Sequence, residues 1–423
     1  MMVMLKKISY YCTLLTIIAL LFLSAKHLSA QRLAPVTPDS LAVVHYEEDT
    51  LYIASDSTYI SLFFNKLDNV MKTGEGSVSI LHIGGSHVQA GTMSNRIRQN
   101  ILRNCPDAVS GRGMIFPYST ANKCNNPIDY RVRRTVPFEL VRNVYKSHDK
   151  RLGACGIAVY SADSNAAFTI RLIDSNFSYG TTRVTLLGYP CDTVDVLPSL
   201  VLDGKEYFPE DYSSVSRRYV FDLPVVTDTF TIKLNCHDGG DFTVTGLLLE
   251  NDKPGVTFHS IGVNGAATDS YIRCADFVED MQLVNPDLVI FGIGINDASG
   301  PNFDTLVFKN NYLKIVEMFR QVNPDCAFIF LTNNDSYKGS GRRAHANPNG
   351  KLVQKVCYRL ADAVGGAVWD QFAIMGGFGS MQKWRAAGYA QSDRVHFTAK
   401  GYNLVGDLFY NAFADAMERV LHP

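Results

Sequence analysis

Between residues 77 and 103 the spacing of apolar positions changes. Val78, Ile80 and Ile83 fall in a β-prone run, Gly84-Gly85 interrupts it, and Met93, Ile97 and Ile101 then recur every four residues. That sequence of periods predicts a strand, a tight turn and a helix. Leu288, Val289, Ile290 and Phe291 form a continuous apolar run, as expected of a parallel strand buried on both faces. The pattern then predicts a helix over 305–320, a strand over 327–331, a helix over 351–363 and a short strand over 367–369. The last segment, 402–420, is amphipathic, with Leu404, Leu408, Phe409, Ala412 and Phe413 on one stripe. Strands alternating with helices indicate an α/β domain built on a parallel sheet.

From 129 to 253 the texture differs. Phe230, Ile232 and Leu234 alternate with Thr231 and Lys233, and short strands are expected around Val184 and Leu186, over 168–172 and over 243–249. Gly, Asp and Pro turns separate them, and no useful helix period occurs. Such spacing predicts a small β-sandwich. The expected organisation is therefore an α/β domain in two parts, 51–128 and 254–423, interrupted by an all-β insert at 129–253. Residues 31–50 read as a polar, mobile lead-in.

The N-terminus changes the picture of where the protein works. Lys6 and Lys7 precede an apolar run from 13 to 23, and Ala30 offers a small residue before Gln31. A charged start, a short apolar stretch and a small exit residue mark a secretory signal over 1–30. The run is shorter than the roughly 20 residues of a spanning helix; an uncleaved anchor is the alternative. No cysteine stands directly after the apolar run, Cys12 lying at its start, which argues against a lipid anchor. The expectation is an exported protein without stable membrane insertion, periplasmic or associated with the cell envelope.

Composition excludes some classes. Of 423 residues 46% are hydrophobic and 19% charged, and the net charge is -1 with no long run of one sign. Neither a nucleic-acid surface nor an acidic interaction tail fits that balance. The nine cysteines are scattered, with no Cys-x-x-Cys and no close Cys/His cluster, so no structural zinc site is expected. Cys105 and Cys124 are the nearest pair after the signal, but spacing alone establishes no disulfide.

Four short stretches carry candidate chemistry. Ser86 directly follows a strand and two glycines and precedes a helix, so its hydroxyl and backbone N–H sit at a sharp turn. Gly-Ser pairs are also ordinary loop material, and Gly84-Gly85-Ser86-His87-Val88 lacks the second glycine of the Gly-x-Ser-x-Gly elbow. Asp393 stands three residues before His396. A carboxylate so placed can orient an imidazole that accepts a serine proton, although surface Asp/His pairs are common. Gly294-Ile295-Asn296-Asp297 follows the strand at 288–291, where the amide of Asn296 can donate to an oxyanion, or the pair can simply form a turn. Asp297 occupies the third glycine position of a dinucleotide loop, which removes the cofactor reading. Gly265, in Gly262-Val263-Asn264-Gly265-Ala266, is either a further oxyanion donor or part of a plain turn.

Taken in order, a Ser in a Gly-rich turn, then Gly, then Asn, then Asp-x-x-His is the block order of the SGNH (GDSL-like) hydrolases, which this chain resembles over its α/β part. The resemblance implies a three-layer, flavodoxin-like sheet. It implies a triad of Ser86, His396 and Asp393, and an oxyanion hole from Ser86 N–H, Gly265 N–H and the Asn296 amide, with no metal or organic cofactor. One subgroup, the peptidoglycan O-acetylesterases, carries a carbohydrate-binding-module-like β domain between the first two blocks. Here about 180 residues separate Ser86 from Gly265 and contain the expected insert. The runs Ser86-His87-Val88-Gln89-Ala90 and Gly111-Arg112-Gly113, and the stretch from Trp369-Asp370 through Gly376-Gly377 to Trp384, look like that subgroup too. The two tryptophans are candidates for a glycan cleft, against the commoner fate of core packing. The family reads Gly-Asp-Ser-His where this chain has Gly85 before Ser86. That puts the geometry of the turn in doubt, not the proton relay.

The implied function is an exported esterase that removes O-acetyl groups from peptidoglycan. Action on another polysaccharide, acetyl transfer, or glycan binding by a degenerate site stay open. His82, His87 and His259 are secondary candidates for substrate contact, against packing or backbone hydrogen bonding. Asp335 is expected in a solvated loop, with the cleft as its alternative.

Overall fold

The structure is a computed structural model that describes residues 32–105, 108–122, 124–173, 177–191, 194–213, 216–339 and 341–423. The expected signal at 1–30 lies outside the described residues.

The central sheet has six strands: β1 (Leu51–Ile53), β2 (Ser77–Gly84), β3 (Gly255–Gly262), β4 (Leu288–Gly292), β5 (Ala327–Leu331) and β6 (Ala367–Trp369). Their spatial order is β1-β6-β5-β4-β2-β3. β2 through β6 are parallel to their neighbours, with β3 in register on β2 from Gly255↔Ser77 to Gly262↔Gly84, and β4 on β2 from Leu288↔Ile80 to Gly292↔Gly84. β1 closes the far edge antiparallel to β6. Numbered along the chain, the five parallel strands run 2-1-3-4-5, the flavodoxin-like order, whose direction of winding reverses between β2 and β4. The uninterrupted apolar composition of β4 and β5 follows from burial on both faces.

Helices cover both faces. α1 (Thr58–Thr73), α3 (Thr92–Leu102) and α7 (Ala399–Leu421) pack together on one side, where Phe64 meets Phe413 edge-on at 5.2 Å. α4 (Phe277–Val284), α5 (Thr305–Val322) and α6 (Gly350–Val364) lie on the other, where Phe319 packs against Phe277 and, across to the sheet, against Phe291. Removing one such buried ring costs about 3–5 kcal/mol. α2 (Ser86–Gln89) is a single turn at the end of β2. Thr398 caps α7 by accepting the Gly401 N–H.

Two antiparallel sheets lie between β2 and β3 in the chain. One runs through Lys205–Tyr207, Ser199–Leu202, Thr229–Lys233, Ala167–Leu172 and Tyr130–Arg134. The other contains Arg218–Thr227, Thr181–Pro190, Phe242–Glu250 and Ile157–Ser161, and Gly113–Ile115 joins it by pairing with Phe242–Glu250. Their inward residues, Ile170, Leu200 and Ile232 with Val184, Leu186 and Val244, belong to one hydrophobic cluster, as in a sandwich.

The lead-in departs from expectation. Leu33, Leu41 and Val44 are buried, and Asn411 and Tyr410 of α7 hydrogen-bond the backbone of Val36 and Ala34. Its apolar residues are too far apart to show a period, yet they are buried, with Ala34 and Val36 tied to α7 and the His45 N–H donating to Ile374 O at 2.8 Å.

Candidate active site

The loops after β2, β3 and β4 all leave the sheet at its carboxyl edge, beside the reversal between β2 and β4. Open α/β sheets form their sites in such a crevice. Gly84 permits the approach: a Cβ there would lie 2.4 Å from Gly292 O. The chain then turns through Gly85 (φ -96°, ψ -141°) into α2, so Ser86 is the first residue of a helix. Its N–H has no intrahelical acceptor.

His396 comes from a loop 310 residues further on, and its Nε2 lies 2.8 Å from Ser86 Oγ. Nδ1 lies 2.7 Å from Asp393 Oδ2. Asp393 Oδ1 meanwhile accepts the N–H groups of Val395 at 2.9 Å and His396 at 3.0 Å. An ionised carboxylate only accepts, so Nδ1 carries the hydrogen and Nε2 presents its lone pair to the serine. Partial burial opposes the charge on Asp393, but the hydrogen bonds from the His396 ring and the two backbone N–H groups outweigh it and hold the carboxyl below its ordinary range. Closing this turn puts Arg394 at φ +57°, a left-handed conformation uncommon for such a residue. Outside contacts hold it: Asn334, just past β5, donates to Val395 O at 2.9 Å, and Tyr337 N–H donates to Arg394 O at 3.0 Å.

Facing the hydroxyl are Gly265 and Asn296. Gly265 has φ +88°, where a side chain would be strained, and its N–H has no acceptor among the described residues. The Asn296 amide donates one hydrogen to Ala266 O at 2.9 Å, which fixes its plane and leaves the second hydrogen for a ligand. Gln89 ties the glycine loop to α2, since its Oε1 accepts the Asn264 N–H at 2.7 Å. Ser86, His396, Gly265 and Asn296 line one open cleft of about 610 Å³, whose walls include Asn125 and Asn264. A hydroxyl with a base on one side and three convergent N–H groups on the other can attack an acyl carbonyl and hold the resulting oxyanion.

The secondary candidates fall elsewhere. His259 is buried, accepts the Met114 N–H at 2.9 Å, and lines a separate cleft of about 550 Å³ at the amino edge of the sheet. His82 and His87 line a second, small pocket rather than the cleft. Asp335 is neither solvated nor in the cleft: it is buried, and its Oδ2 accepts the N–H of Met381 at the start of the helix Ser380–Ala386. The loop itself is as expected, but no local pattern reveals that a helix from further along begins over it and buries it. Trp369 and Trp384 are fully buried and spend their indole N–H groups on Asp49 Oδ1 and Met375 O, so they are core residues. Asp297 accepts from Thr268 N–H and Oγ1, joining the loops after β3 and β4. All eight described cysteines are free thiols, Cys105 and Cys124 included. Sequence reasoning missed Gln89, Asn334 and Tyr402 as supports of the site, and no spacing signal marks them.

A three-layer sheet of this order, with an all-β insert after its first parallel strand and the site at its carboxyl edge, is an arrangement found among SGNH-type hydrolases. The comparisons agree. Residues 231–404 match the GDSL-like lipase/acylhydrolase family, so the chain carries an SGNH (GDSL-like) acylhydrolase domain. A solved structure described as a peptidoglycan O-acetylesterase in action superposes with a TM-score of 0.71 at 23% identity, covering 87% of this chain and 99% of its own. This chain resembles that protein in fold, insert included. A GDSL-like lipase from Bacteroides thetaiotaomicron (18% identity, 39% of this chain, 76% of its own, TM-score 0.29) and an acetyl xylan esterase (19%, 37%, 81%, 0.30) are more distant. No curated protein matches the chain. Ser86 lies before the matched family segment, so its place in the site rests on geometry.

Proposed function

We propose that the protein is an exported serine esterase that removes O-acetyl groups from a cell-wall glycan, peptidoglycan, with Ser86 as nucleophile, His396 as base and Asp393 as its partner. The observation that carries this reading is the continuous relay from Ser86 Oγ to His396 Nε2 at 2.8 Å and from His396 Nδ1 to Asp393 at 2.7 Å, opening on a cleft with oxyanion donors.

In the first step Ser86 Oγ attacks the acetyl carbonyl while its proton passes to His396 Nε2. Asp393 stabilises the imidazolium, and the N–H groups of Ser86 and Gly265 with the Asn296 amide hold the oxyanion. Collapse returns the proton to the departing sugar hydroxyl and leaves acetyl-Ser86. Water, deprotonated by His396, then releases acetate. The domain division read from the sequence (51–128, 129–253 and 254–423) belongs to this proposal, with the β insert as the part that meets glycan.

Two things support peptidoglycan as the substrate: the fold is shared over nearly its whole length with a peptidoglycan O-acetylesterase, and the N-terminal pattern is that of an exported chain. Among the described residues no helix is long and apolar enough to cross a membrane. Acetate release from O-acetylated peptidoglycan, measured against acetylated xylan, tests the substrate. Hydrolysis of p-nitrophenyl acetate that persists in Ser86→Ala would refute the nucleophile.

A further inference from the structure

Beside His87, whose ring lies against that of His396, is a small cavity of about 30 Å³ whose lining includes His82, His87, Gly292, Thr332 and Tyr402. That volume exceeds the roughly 10–15 Å³ one water molecule needs. Two ring nitrogens there lack partners: Nε2 of His82 and Nε2 of His87 are both closed off from solvent without a hydrogen bond. His82 is 1% exposed, so the deficit cannot be met from bulk water. Gly292 keeps the space in front of it open, since a Cβ there would lie 2.8 Å from His82 Nε2.

The other nitrogens fix the rings. Tyr402 Oη lies 3.0 Å from His87 Nδ1. With the Tyr402 hydroxyl as the donor, His87 accepts at Nδ1 and carries its own hydrogen at Nε2. His82 Nδ1 is satisfied by Ser94 Oγ at 2.9 Å. The His87 ring lies against that of His396, with centroids 5.0 Å apart and planes 34° apart.

We propose that this cavity binds a water molecule between the Nε2 atoms of His82 and His87, and that His87, fixed as the neutral Nε2–H form, is a positioning residue for His396. The water accepts from His87 Nε2–H and donates to, or accepts from, His82 according to the tautomer that Ser94 selects. Burial and the neighbouring His396 push the His87 imidazole down to about 3, with Asp393 pulling the other way, so the ring stays uncharged at working pH. When His396 takes the serine proton it therefore meets an uncharged ring rather than a second positive charge. The role in catalysis rests on the reading of His396 as the base; the water and the tautomer do not.

The test has a structural and a kinetic arm. A high-resolution crystal structure should show an ordered water at hydrogen-bond distance, about 2.7–3.2 Å, from both Nε2 atoms. Histidine side-chain NMR should find His87 neutral with its hydrogen on Nε2 from about pH 5 to 8. No ordered water in the cavity, or a protonated His87 in that range, overturns the site. In the kinetic arm, His87→Ala should lower kcat by about tenfold to a hundredfold with KM nearly unchanged, because a base displaced by a fraction of an ångström loses alignment. His87→Phe, which keeps a ring against His396, should recover most of that loss. Equal loss in both variants at retained Tm, or no loss in either, overturns the positioning role. His396→Ala run beside them separates the cases: turnover that survives it refutes the base assignment and leaves the water site standing on the structural arm.

Discussion

Replacing Asp393 by Asn tests the relay more sharply than deleting the side chain. Asp393 serves two clients: Oδ1 accepts two backbone N–H groups at 2.9 and 3.0 Å, and Oδ2 accepts His396 Nδ1–H at 2.7 Å. An amide has one accepting atom. Its oxygen satisfies most donors by facing the two backbone N–H groups, and its NH2 then faces Nδ1. A donor against Nδ1 forces the hydrogen onto Nε2, where it points at Ser86 Oγ and blocks proton transfer. The same tautomer error in a serine protease costs about 10⁴-fold in kcat, or ~5.4 kcal/mol at 1.36 kcal/mol per decade.

Loss of charge alone is a smaller effect. The Asp393 side chain is 44% exposed, so its attraction for the imidazolium is screened to about 1–2 kcal/mol. Asp393→Ala loses that and some orientation but leaves the imidazole free to choose its tautomer, so about ten- to a hundredfold is expected. Asn should therefore be the more damaging change although it is nearly the same shape. The assay is kcat on p-nitrophenyl acetate and on acetylated glycan, with Tm to verify folding. An Asn variant as active as the Ala variant, or more so, would refute the tautomer argument.

Asn296→Ala should lower kcat by about 10²–10³-fold, ~3–4 kcal/mol, with KM little changed, since the amide acts on the oxyanion and not on the bound ester; a change confined to KM would contradict that. Asp280 of α4 is fully enclosed, accepts the Ala154 N–H of the β insert at 2.7 Å, and is pushed up to about 7 by burial and by the carboxylates of Asp276 and Glu279. Because its folded value lies above the unfolded one, its contribution is complete below about pH 4 and is lost as pH rises towards 7, with an upper bound of roughly 4 kcal/mol. Asp280→Asn should flatten that fall, read as Tm across this range, and an unchanged slope would count against it. His259 has the opposite sign. Burial, with Arg112 and Arg98 nearby, pushes it down to about 3, so its contribution is present above about pH 6.5 and lost as pH falls towards 3. Urea unfolding should show His259→Asn losing less stability than wild type between about pH 7 and 4.5; an equal loss would count against it.

The legible parts of this protein were those with a local signature. Continuous apolar runs gave β4 and β5, period-four spacing gave α3, and alternation gave Thr229–Lys233. The candidate site was readable because each piece sits next to a strand end or a helix cap, so order along the chain stood in for proximity. The supports of the site had no such sign. Asn334 and Tyr402 reach the site through contacts to Val395 O and His87 Nδ1 that span at least 61 residues of chain. Asp335 lies in a loop as expected, but its burial is not legible, because the helix it caps lies 45 residues further on. The polarity of the lead-in points to a mobile segment, since three apolar residues among prolines show no period, yet all three are buried and its backbone is bonded to α7.

Gly85 is where sequence and geometry have to be weighed together. The family pattern has a carboxylate at this position, and its absence raised the prospect of a degenerate site. A Cβ on Gly85 would stand 3.4 Å from Asn296 Nδ2 and 3.5 Å from Ala266 O, in ordinary contact, so the space admits a side chain. A carboxylate there would be beside the same amide hydrogen that Asn296 gives to Ala266 O, and it would compete for it. In this chain the carbonyl alone sets the plane of the amide, at 2.9 Å. No hydrogen bond of the relay passes through residue 85. The missing carboxylate therefore bears on how firmly an oxyanion donor is aimed, and not on whether a serine proton can be moved.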